Sequence, residues 1–530
     1  ASPSRKGWSA VIVKTEGVPT AAQEAAIAAL GGDIYRHLPI INSLAVRIPN
    51  RRLKELAALP FVSRLSSDME VKKTDEFTVG HSGADQAWSY GLTGKGIGVA
   101  VLDSGVSPWH PDLSEGYASR VTNGVDLVQD GSKSGDPCGH GTHVAGIMAG
   151  NGLFSTGSYA YRAFKGIAPT VKVVSVRVLN AEGRGSVSST IAGIQWTLDN
   201  RVAQGIRVLN LSLGHEVGES YKSDPLCLAV EKAWKSGLVV VCAAGNGGRL
   251  YGAPATGRNN EGYGTRYGSI QSPANSPYVI TVGAVKNTSA NLRLLDPVAT
   301  YSGRGPSRLD LVMKPDIVAP GNRVISLNGD LGSNFLSRNY SATNALPWFE
   351  YLKGNTSGNA SMMYFYLSGT SMAAPVVSGA AALLLQQDPK LTPDAIKARL
   401  MLSADKLGSD PTAYGAGLLN IPAALNNRAQ PTVYARSPVL SLNSSRTRVR
   451  VDVSKAIWGI SVNGTQAIWG EQAIWGTQAI WGEQAIWGST NPYLSMGSFM
   501  IADPVWTDQA IWGSTTDAVD LTSTAILGEK

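Results

Sequence analysis

Short apolar runs alternate with longer helical patterns through the middle of the chain. Five runs have the length of a strand and lack the polar alternation of a half-exposed strand: 97–102, 171–179, 208–213, 238–243 and 278–282. Such runs are typical of parallel strands that are covered on both faces. The intervening segments 186–200 and 226–236 have helical patterns. The sequence therefore predicts an α/β fold with a mostly parallel central sheet and helices on both faces.

The first seventy residues follow a different pattern. Four short segments read as strands: 8–14, 34–38, 44–48 and 62–65. Thr20 and Gln23 form the capping box of a predicted helix, and a second helix is predicted over 51–59. The resulting order, βαββαβ, predicts a small ferredoxin-like α+β domain. We place this domain at residues 1–75.

The composition changes after Leu425. The motif Ala-Ile-Trp-Gly begins at six positions: 456, 467, 473, 479, 485 and 510. The central repeats are spaced by six residues, an even number, so their tryptophans share one face of an extended chain. A β-type or extended C-terminal segment is predicted for 429–530. Two interpretations stay open, namely self-packing low-complexity sequence and a strip that binds a surface, a glycan or a partner.

Three stretches carry residue types suited to nucleophilic catalysis. A predicted strand ends in a carboxylate at Asp103, and the stretch 139–146, Gly-His-Gly-Thr-His-Val-Ala-Gly, places His140 at the start of a helix. The stretch 368–375, Ser-Gly-Thr-Ser-Met-Ala-Ala-Pro, delivers Ser371 to the start of a buried helix. A serine hydroxyl alone is a poor nucleophile, so a nearby base and an orienting acid are needed to activate it. The three stretches supply all three groups.

These stretches resemble the signatures of the subtilisin-like serine proteases, the subtilases, and the chain order Asp, His, Ser agrees with that family. The resemblance extends over residues 75–425. It implies a serine endopeptidase that works through an acyl-enzyme intermediate. In that reaction His140 acts as the base, Asp103 orients the imidazole, and Ser371 is the nucleophile.

The resemblance also implies where a substrate binds. Asn246, within the stretch 239–247, matches the asparagine that donates to the oxyanion in subtilases. Segment 211–214 resembles the edge that pairs with an extended substrate through backbone hydrogen bonds. Six residues would form the walls of the first pocket: Ser212, Leu213, Gly214, Ala243, Ala244 and Gly245. With residues 269–273 near its base, this pocket is expected to take medium to large uncharged side chains.

The resemblance further implies a zymogen. Residues 1–75 would act as an intramolecular chaperone and inhibitor, because a large parallel sheet folds slowly and benefits from a template. The enzyme would cut itself from this domain at a bond between Ser67 and Thr78. The catalytic domain is then expected at 76–428, and removal of the extension 429–530 on maturation stays open.

Calcium is an expectation from the family alone, and the chemistry requires no cofactor. Asp112 matches a family calcium ligand, but the loop 150–165 lacks the pattern of its partner loop. We interpret His110 and His143 as structural. The cysteines Cys138, Cys227 and Cys242 allow either three buried thiols or one disulfide with a spare thiol.

Composition and charge narrow the range of possible partners and locations of the protein. The net charge is +7, but the basic residues are scattered, and the cluster 446–450 reads as a solvated strand face. We therefore expect no nucleic-acid partner. No run of about 18 apolar residues occurs, so no spanning helix is expected. We expect a monomeric, secreted protein whose signal peptide is already absent from this numbering, with proteins or peptides as substrates.

Three other interpretations compete with this one. An α/β-hydrolase esterase would need Gly-x-Ser-x-Gly and the order Ser, Asp, His, and the chain has neither. The acid-acting relatives of subtilases carry glutamate where His140 stands. The remaining alternative is a catalytically inert surface or adhesion protein that binds through its tryptophan repeats.

Overall fold

The computed structural model describes the following residues: 7–67, 78–128, 130–132, 135–251, 263–286, 296–354, 360–407, 410–442, 448–451 and 493–495. The chain divides into two compact units, Ala1–Asp75 and Glu76–Lys530. The predicted cleavage segment between Ser67 and Thr78 and the Ala-Ile-Trp-Gly repeats lie outside the described residues.

The strands, in chain order, are β1 Trp8–Thr15, β2 Asp33–Leu38, β3 Ser43–Pro49, β4 Val62–Ser67, β5 Gly98–Asp103, β6 Ser114–Glu115, β7 Ala118–Ser119, β8 Val121–Asp126, β9 Lys172–Arg177, β10 Ile206–Leu211, β11 Val239–Ala243, β12 Arg249–Tyr251, β13 Tyr263–Thr265, β14 Ile280–Val285, β15 Ile317–Pro320, β16 Val324–Leu327, β17 Ala345–Pro347, β18 Ala360–Leu367, β19 Leu440–Leu442, β20 Arg448–Val451 and β21 Tyr493–Ser495. The helices are α1 Ala21–Ala29, α2 Leu53–Ala57, α3 Thr78–Ser82, α4 Ala84–Ser89, α5 His140–Ala149, α6 Val187–Gln204, α7 Pro225–Lys235, α8 Phe335–Asn344, α9 Thr370–Gln387, α10 Pro393–Leu402, α11 Pro411–Tyr414 and α12 Ile421–Asn426.

The N-terminal unit has the predicted βαββαβ order. Its four strands form an antiparallel sheet in the order β2-β3-β1-β4. The capping box is present, since the Thr20 hydroxyl accepts a hydrogen bond from the Gln23 N–H and the Gln23 side chain accepts one from the Thr20 N–H. The second helix is shorter than predicted, because a 3-10 turn at Asn50–Arg52 precedes α2. The small α+β domain predicted from the sequence is confirmed.

The larger unit is built on a seven-stranded sheet in the order β15-β14-β11-β10-β5-β9-β8, and every pair in it is parallel. The five predicted strands are its five inner strands. The two edge strands were not predicted. Strand β8 carries Asn123 and Gly124 and is mostly solvent-accessible, so it lacks an apolar run. Strand β15 has four residues and ends at Pro320, and proline is tolerated at the edge of a sheet.

Helix α9 lies at the centre of this unit. It contacts α5 and the strands β10, β11 and β14, and residues 370–385 are buried. Such a helix must be apolar on all sides, which explains the unbroken run of small and aliphatic residues after Ser371. Among the described residues, no helix combines the length and apolar character needed to cross a bilayer.

All three cysteines lie among the described residues. Cys138, Cys227 and Cys242 are buried, and none of them forms a disulfide. Burial raises the pKa of each thiol above its usual value. Of the two alternatives that the sequence left open, the structure contains three buried thiols.

A buried charge network joins the β15 side of the sheet to the segment beyond residue 428. The Lys314 ammonium lies 2.6 Å from the Asp316 carboxylate, and the Lys397 ammonium lies 3.3 Å from the same group. All three side chains are fully buried. The Ser437 hydroxyl donates to Asp316, so residues after the predicted boundary at 428 also pack on this unit. Burial lowers the pKa of Lys397 to about 7.

This network predicts a rise in stability with pH. Because the pKa of Lys397 is lower in the folded state than in the unfolded state, the folded state binds fewer protons above pH 7. The free energy of unfolding should therefore increase between about pH 7 and 8.5, before the buried thiols oppose the trend. Lys397→Met should remove up to about 1.4 kcal/mol per pH unit from this rise. Urea unfolding at several pH values measures it.

The matched control is Lys235→Met, since Lys235 is partly exposed on α7. It should leave the pH dependence over this range unchanged. If the unfolding free energy of the wild-type protein and of Lys397→Met rises equally steeply with pH, Lys397 is not the source of the pH dependence.

Candidate active site

A carboxylate and an imidazole meet at the carboxyl end of the central sheet. Asp103 is the last residue of β5, and His140 is the first residue of α5. The imidazole Nδ1 lies 2.7 Å from Asp103 Oδ1, and both side chains are almost completely buried. Because a carboxylate accepts hydrogen bonds, Nδ1 carries the proton, and Nε2 is left as the acceptor. This tautomer is the one that a general base needs.

Ser371 reaches the same edge of the sheet from α9. Its hydroxyl donates to the Ser212 carbonyl at 3.1 Å, and the Ser212 hydroxyl donates to the Ser371 carbonyl at 2.8 Å. Strands β5 and β10 are paired in register up to their ends, so Ser212 and Asp103 leave neighbouring strands, which lie about 4.8 Å apart. The structure thus brings the three predicted residues to adjacent strand ends, with the hydroxyl proton of Ser371 directed to Ser212.

Asn246 follows strand β11 and contacts the turn before Ser371. Its Oδ1 accepts from the Thr370 N–H at 2.9 Å and from the Thr370 hydroxyl at 3.1 Å. Since a backbone N–H can only donate, these contacts determine which end of the amide is oxygen. The other end, Nδ2, lies beside Gly369. The amide donor is therefore held next to the start of the helix that carries Ser371.

The predicted pocket walls lie at the ends of β10 and β11. All six wall residues are buried. Gly214 and Gly245 both face the side chain of Gln271. A Cβ added at either glycine would lie within 3.0 Å of that side chain. The two walls can therefore come close to Gln271 only because neither residue has a side chain.

Sequence reasoning placed residues 269–273 near the base of the pocket but did not single out Gln271. The Gln271 N–H donates to the Ala244 carbonyl at 3.1 Å, and the backbones of Ser272 and His215 are hydrogen-bonded to each other. These bonds join the base to both walls. No local pattern marks a single glutamine as a pocket residue, because its contacts come from distant parts of the chain.

The two histidines interpreted as structural are buried and bound to backbone groups. His143 Nε2 donates to the Phe365 carbonyl at 2.9 Å, and desolvation lowers its pKa to about 3. His110 Nε2 donates to the Met363 carbonyl at 2.9 Å, and burial also lowers its pKa. Both imidazoles therefore remain neutral at ordinary pH, in agreement with a packing role.

The surroundings of Asp112 do not fit a calcium site. Its Oδ1 accepts from the Phe154 N–H and its Oδ2 accepts from the Tyr364 hydroxyl, both at 2.7 Å. Aromatic rings fill the adjacent space, and the Tyr364 ring lies 4.7 Å from Phe164 and 5.2 Å from Tyr351 between centroids. In the part of the chain that the structure describes, no three acidic, histidine or cysteine side chains cluster as metal ligands. Hydrogen bonds and aromatic packing hold the segment around Asp112 in place.

Fold and site together define a class: an α/β protein with a buried carboxylate–imidazole pair and a helix-terminal serine at one edge of a parallel sheet. A family model described as Subtilase family (Peptidase S8) matches residues 94–417. The chain therefore belongs to the subtilase family of serine proteases.

The chain is similar to several known proteins. The chain is 38% identical over 335 residues to Serine protease AprX of Bacillus subtilis (strain 168), covering 62% of this chain and 66% of that protein. It is 32% identical over 411 residues to Subtilisin E of the same strain, covering 76% and 86%. The crystal structure of a cold adapted subtilisin-like serine proteinase is also similar, with 29% identity, a TM-score of 0.42, and 62% and 90% of the two chains covered.

The contact between Tyr364 and Asp112 makes a prediction about stability. Tyr364→Phe removes a buried hydrogen bond to a carboxylate and should lower the free energy of unfolding by about 1.5–3 kcal/mol. The control Tyr366→Phe changes the same strand, but its hydroxyl bond to Glu350 is longer, at 3.2 Å, and less buried. This control variant should lose clearly less unfolding free energy than Tyr364→Phe. If urea unfolding shows equal losses of unfolding free energy in the two variants, the contact with Asp112 stabilises the protein no more than the contact with Glu350 does.

Proposed function

We propose that this chain hydrolyses internal peptide bonds with Ser371 as nucleophile, His140 as general base and Asp103 as the group that orients the imidazole. The observation that carries the proposal is the 2.7 Å contact between Asp103 and His140, with Ser371 bound to the neighbouring strand end. Membership of the subtilase family supports it. No cofactor takes part in these steps.

The first step begins with a rotation of the Ser371 side chain. The hydroxyl leaves the Ser212 carbonyl and donates to His140 Nε2, a bond that commonly tightens only when substrate is present. Its oxygen attacks the substrate carbonyl while the proton passes to Nε2. Asp103 stabilises the imidazolium that forms. The Asn246 amide and the Ser371 N–H donate to the oxyanion of the tetrahedral intermediate, the latter because N–H groups in the first helical turn lack intrahelical partners.

The intermediate then collapses. His140 returns its proton to the leaving amine as the peptide C–N bond breaks, which leaves an acyl group on Ser371. Water attacks this ester while His140 accepts a proton from it. That proton then passes from His140 to Ser371 Oγ as the ester C–O bond breaks, which releases the acid product and restores the free serine. The substrate is proposed to lie extended along segment 211–214, with one side chain between the pocket walls above Gln271.

We further propose that the chain is a secreted, monomeric zymogen. In this proposal residues 1–75 inhibit the enzyme and assist its folding, residues 76–428 form the catalytic domain, and residues 429–530 are an extension. The separate βαββαβ unit with its own core supports the first of these roles. The enzyme would release that domain by cleaving its own chain between Ser67 and Thr78.

Ser371→Ala should abolish the activity. Removal of the nucleophile should lower casein cleavage by on the order of a millionfold and prevent labelling by a serine-directed phosphonate. Intact-mass analysis should then find uncut precursor. The matched control is Ser378→Ala, a second buried serine on α9, whose hydroxyl donates to Asn210. This control should keep activity within about tenfold of wild type.

A wild-type protein that neither cleaves casein nor reacts with the phosphonate would contradict the proposed function. It would favour the alternative of an inert binding protein. Cleavage by the Ser371→Ala variant at the wild-type rate would show that another group is the nucleophile.

The position of Gln271 at the base of the pocket predicts that its replacement changes the substrate specificity. Gln271→Glu places a carboxylate between the pocket walls and should favour lysine or arginine next to the cleaved bond. The ratio of kcat/KM for a lysine peptide to that for a leucine peptide should rise by about tenfold to a hundredfold, as expected of a partly buried charge-assisted contact. Gln204→Glu, an exposed change that also adds a negative charge, should leave this ratio unchanged. A shift in both variants would indicate a general charge effect.

A further inference from the structure

The helix that carries His140 begins without a capping side chain of its own. Its N-cap residue is Gly139, with φ +98°. A Cβ at this position would lie 2.5 Å from the Asn334 side chain, so no larger residue fits there. The N–H groups of the first helical turn have no intrahelical acceptors and must be satisfied by other groups when they are buried. The buried start of α5 therefore needs an acceptor from elsewhere.

Asp136 supplies this acceptor from the preceding turn. Its Oδ1 accepts from the Gly139 N–H at 2.8 Å, and its Oδ2 accepts from the Thr142 N–H at 2.7 Å. These N–H groups belong to residues on either side of His140. The Asp136 side chain is fully buried. One carboxylate thus holds the backbone on both sides of the imidazole.

The same carboxylate also holds the residue that follows Asp103. The Ser104 hydroxyl donates to Asp136 Oδ1 at 2.8 Å, and it accepts from the Gly141 N–H at 3.1 Å. Strand β5 and helix α5 are therefore joined beside the contact between Asp103 and His140. Among the described residues, the imidazole of His140 is hydrogen-bonded to Asp103 and not to the Asp136 carboxylate.

We propose that Asp136 is a positioning residue, whose ionised carboxylate sets the geometry between Asp103 and His140 by binding the neighbours of both. The proposal rests on the proposed function. If Asp136 is lost, the start of α5 is free to shift against the end of β5, and the imidazole moves with it. A misplacement of about 1 Å in an active site can cost on the order of a hundredfold in rate.

The position of Asp136 also makes its role dependent on pH. Desolvation raises its pKa to about 6, although its hydrogen bonds oppose the shift. The ionisable groups around it are Asp103 and His140, the Cys138 thiol, and Asp330, whose carboxylate accepts from the Asp136 N–H. Protonation below about pH 6 removes acceptor capacity that the hydrogen-bond donors around Asp136 use. Activity at low pH is therefore limited by protonation of Asp136.

This acid loss of activity differs from acid unfolding. The folded-state pKa of Asp136 lies above its usual value of 3.8, so the folded state binds this proton more tightly than the unfolded state. Protonation of Asp136 between about pH 6 and 4 therefore contributes stability while it removes activity. A role in stability alone would not reduce kcat in a protein that remains folded.

The test is Asp136→Asn in the full chain, with active sites counted by a serine-directed phosphonate. The amide keeps the size of the side chain but places an NH2 group against backbone donors. We expect kcat per labelled site to fall by about tenfold to a hundredfold, with KM changed less than about threefold. The acid limb of log kcat against pH should be steeper in the wild type than in the variant, because the variant lacks the carboxyl group of Asp136.

The control is Asp394→Asn. The pKa of Asp394 is likewise raised by burial, but its carboxylate binds Trp234 and Ala435. It should leave kcat and the acid slope unchanged. If Asp136→Asn does not fold, Ser104→Ala removes one of the hydrogen bonds to Asp136 and should lower kcat in the same direction, by about threefold to tenfold.

Two outcomes separate this inference from the proposed function. A wild-type protein without labelling or casein cleavage overturns the proposed function, and this inference with it. An active wild type with unchanged kcat and acid slope in folded Asp136→Asn overturns the positioning role alone. Unchanged kcat in Ser104→Ala, where Asp136→Asn does not fold, overturns it equally.

Discussion

The common register of strands β5 and β10 is the constraint on which the site depends. The two parallel strands are paired up to their carboxyl ends, so Asp103 and Ser212 leave the sheet side by side. Each then holds one half of the site, because Asp103 receives the imidazole of His140 and Ser212 receives the hydroxyl of Ser371. A slip of one residue would turn side chains to the opposite face of the sheet and separate the two halves.

The site also places two carboxylates where water is excluded. Asp103 and Asp136 are both fully buried, and burial of a charge is costly unless hydrogen bonds or opposite charge compensate it. The start of α5 provides that compensation, since its N–H groups and the positive end of its dipole face this region. The Asp103 Oδ2 atom has no hydrogen-bond partner among the described residues. The negative charge of this carboxylate favours the positive imidazolium that the proposed reaction forms.

Local sequence patterns were sufficient to predict much of the fold of this protein. The inner strands, the βαββαβ unit and the helix starts at His140 and Ser371 depend on apolar runs, caps and small-residue turns that lie within short stretches of chain. The edge strand β8 was missed because one polar, half-exposed strand resembles a loop. Asp112 was matched to a metal ligand by its neighbours in sequence, whereas its actual partners include Tyr364, which lies far along the chain.

The sequence by itself determined the type of fold, the order of the catalytic candidates and the family, because these features are written in local periodicity and in short motifs. Only the tertiary structure decided which side chains meet. It directed the Ser371 hydroxyl to Ser212, placed Gln271 between two glycine-bearing walls, and tied Asp136 to the neighbours of both Asp103 and His140. The physical reason is that these contacts join segments far apart in the chain, and their geometry is set by sheet register and helix packing rather than by adjacent residues.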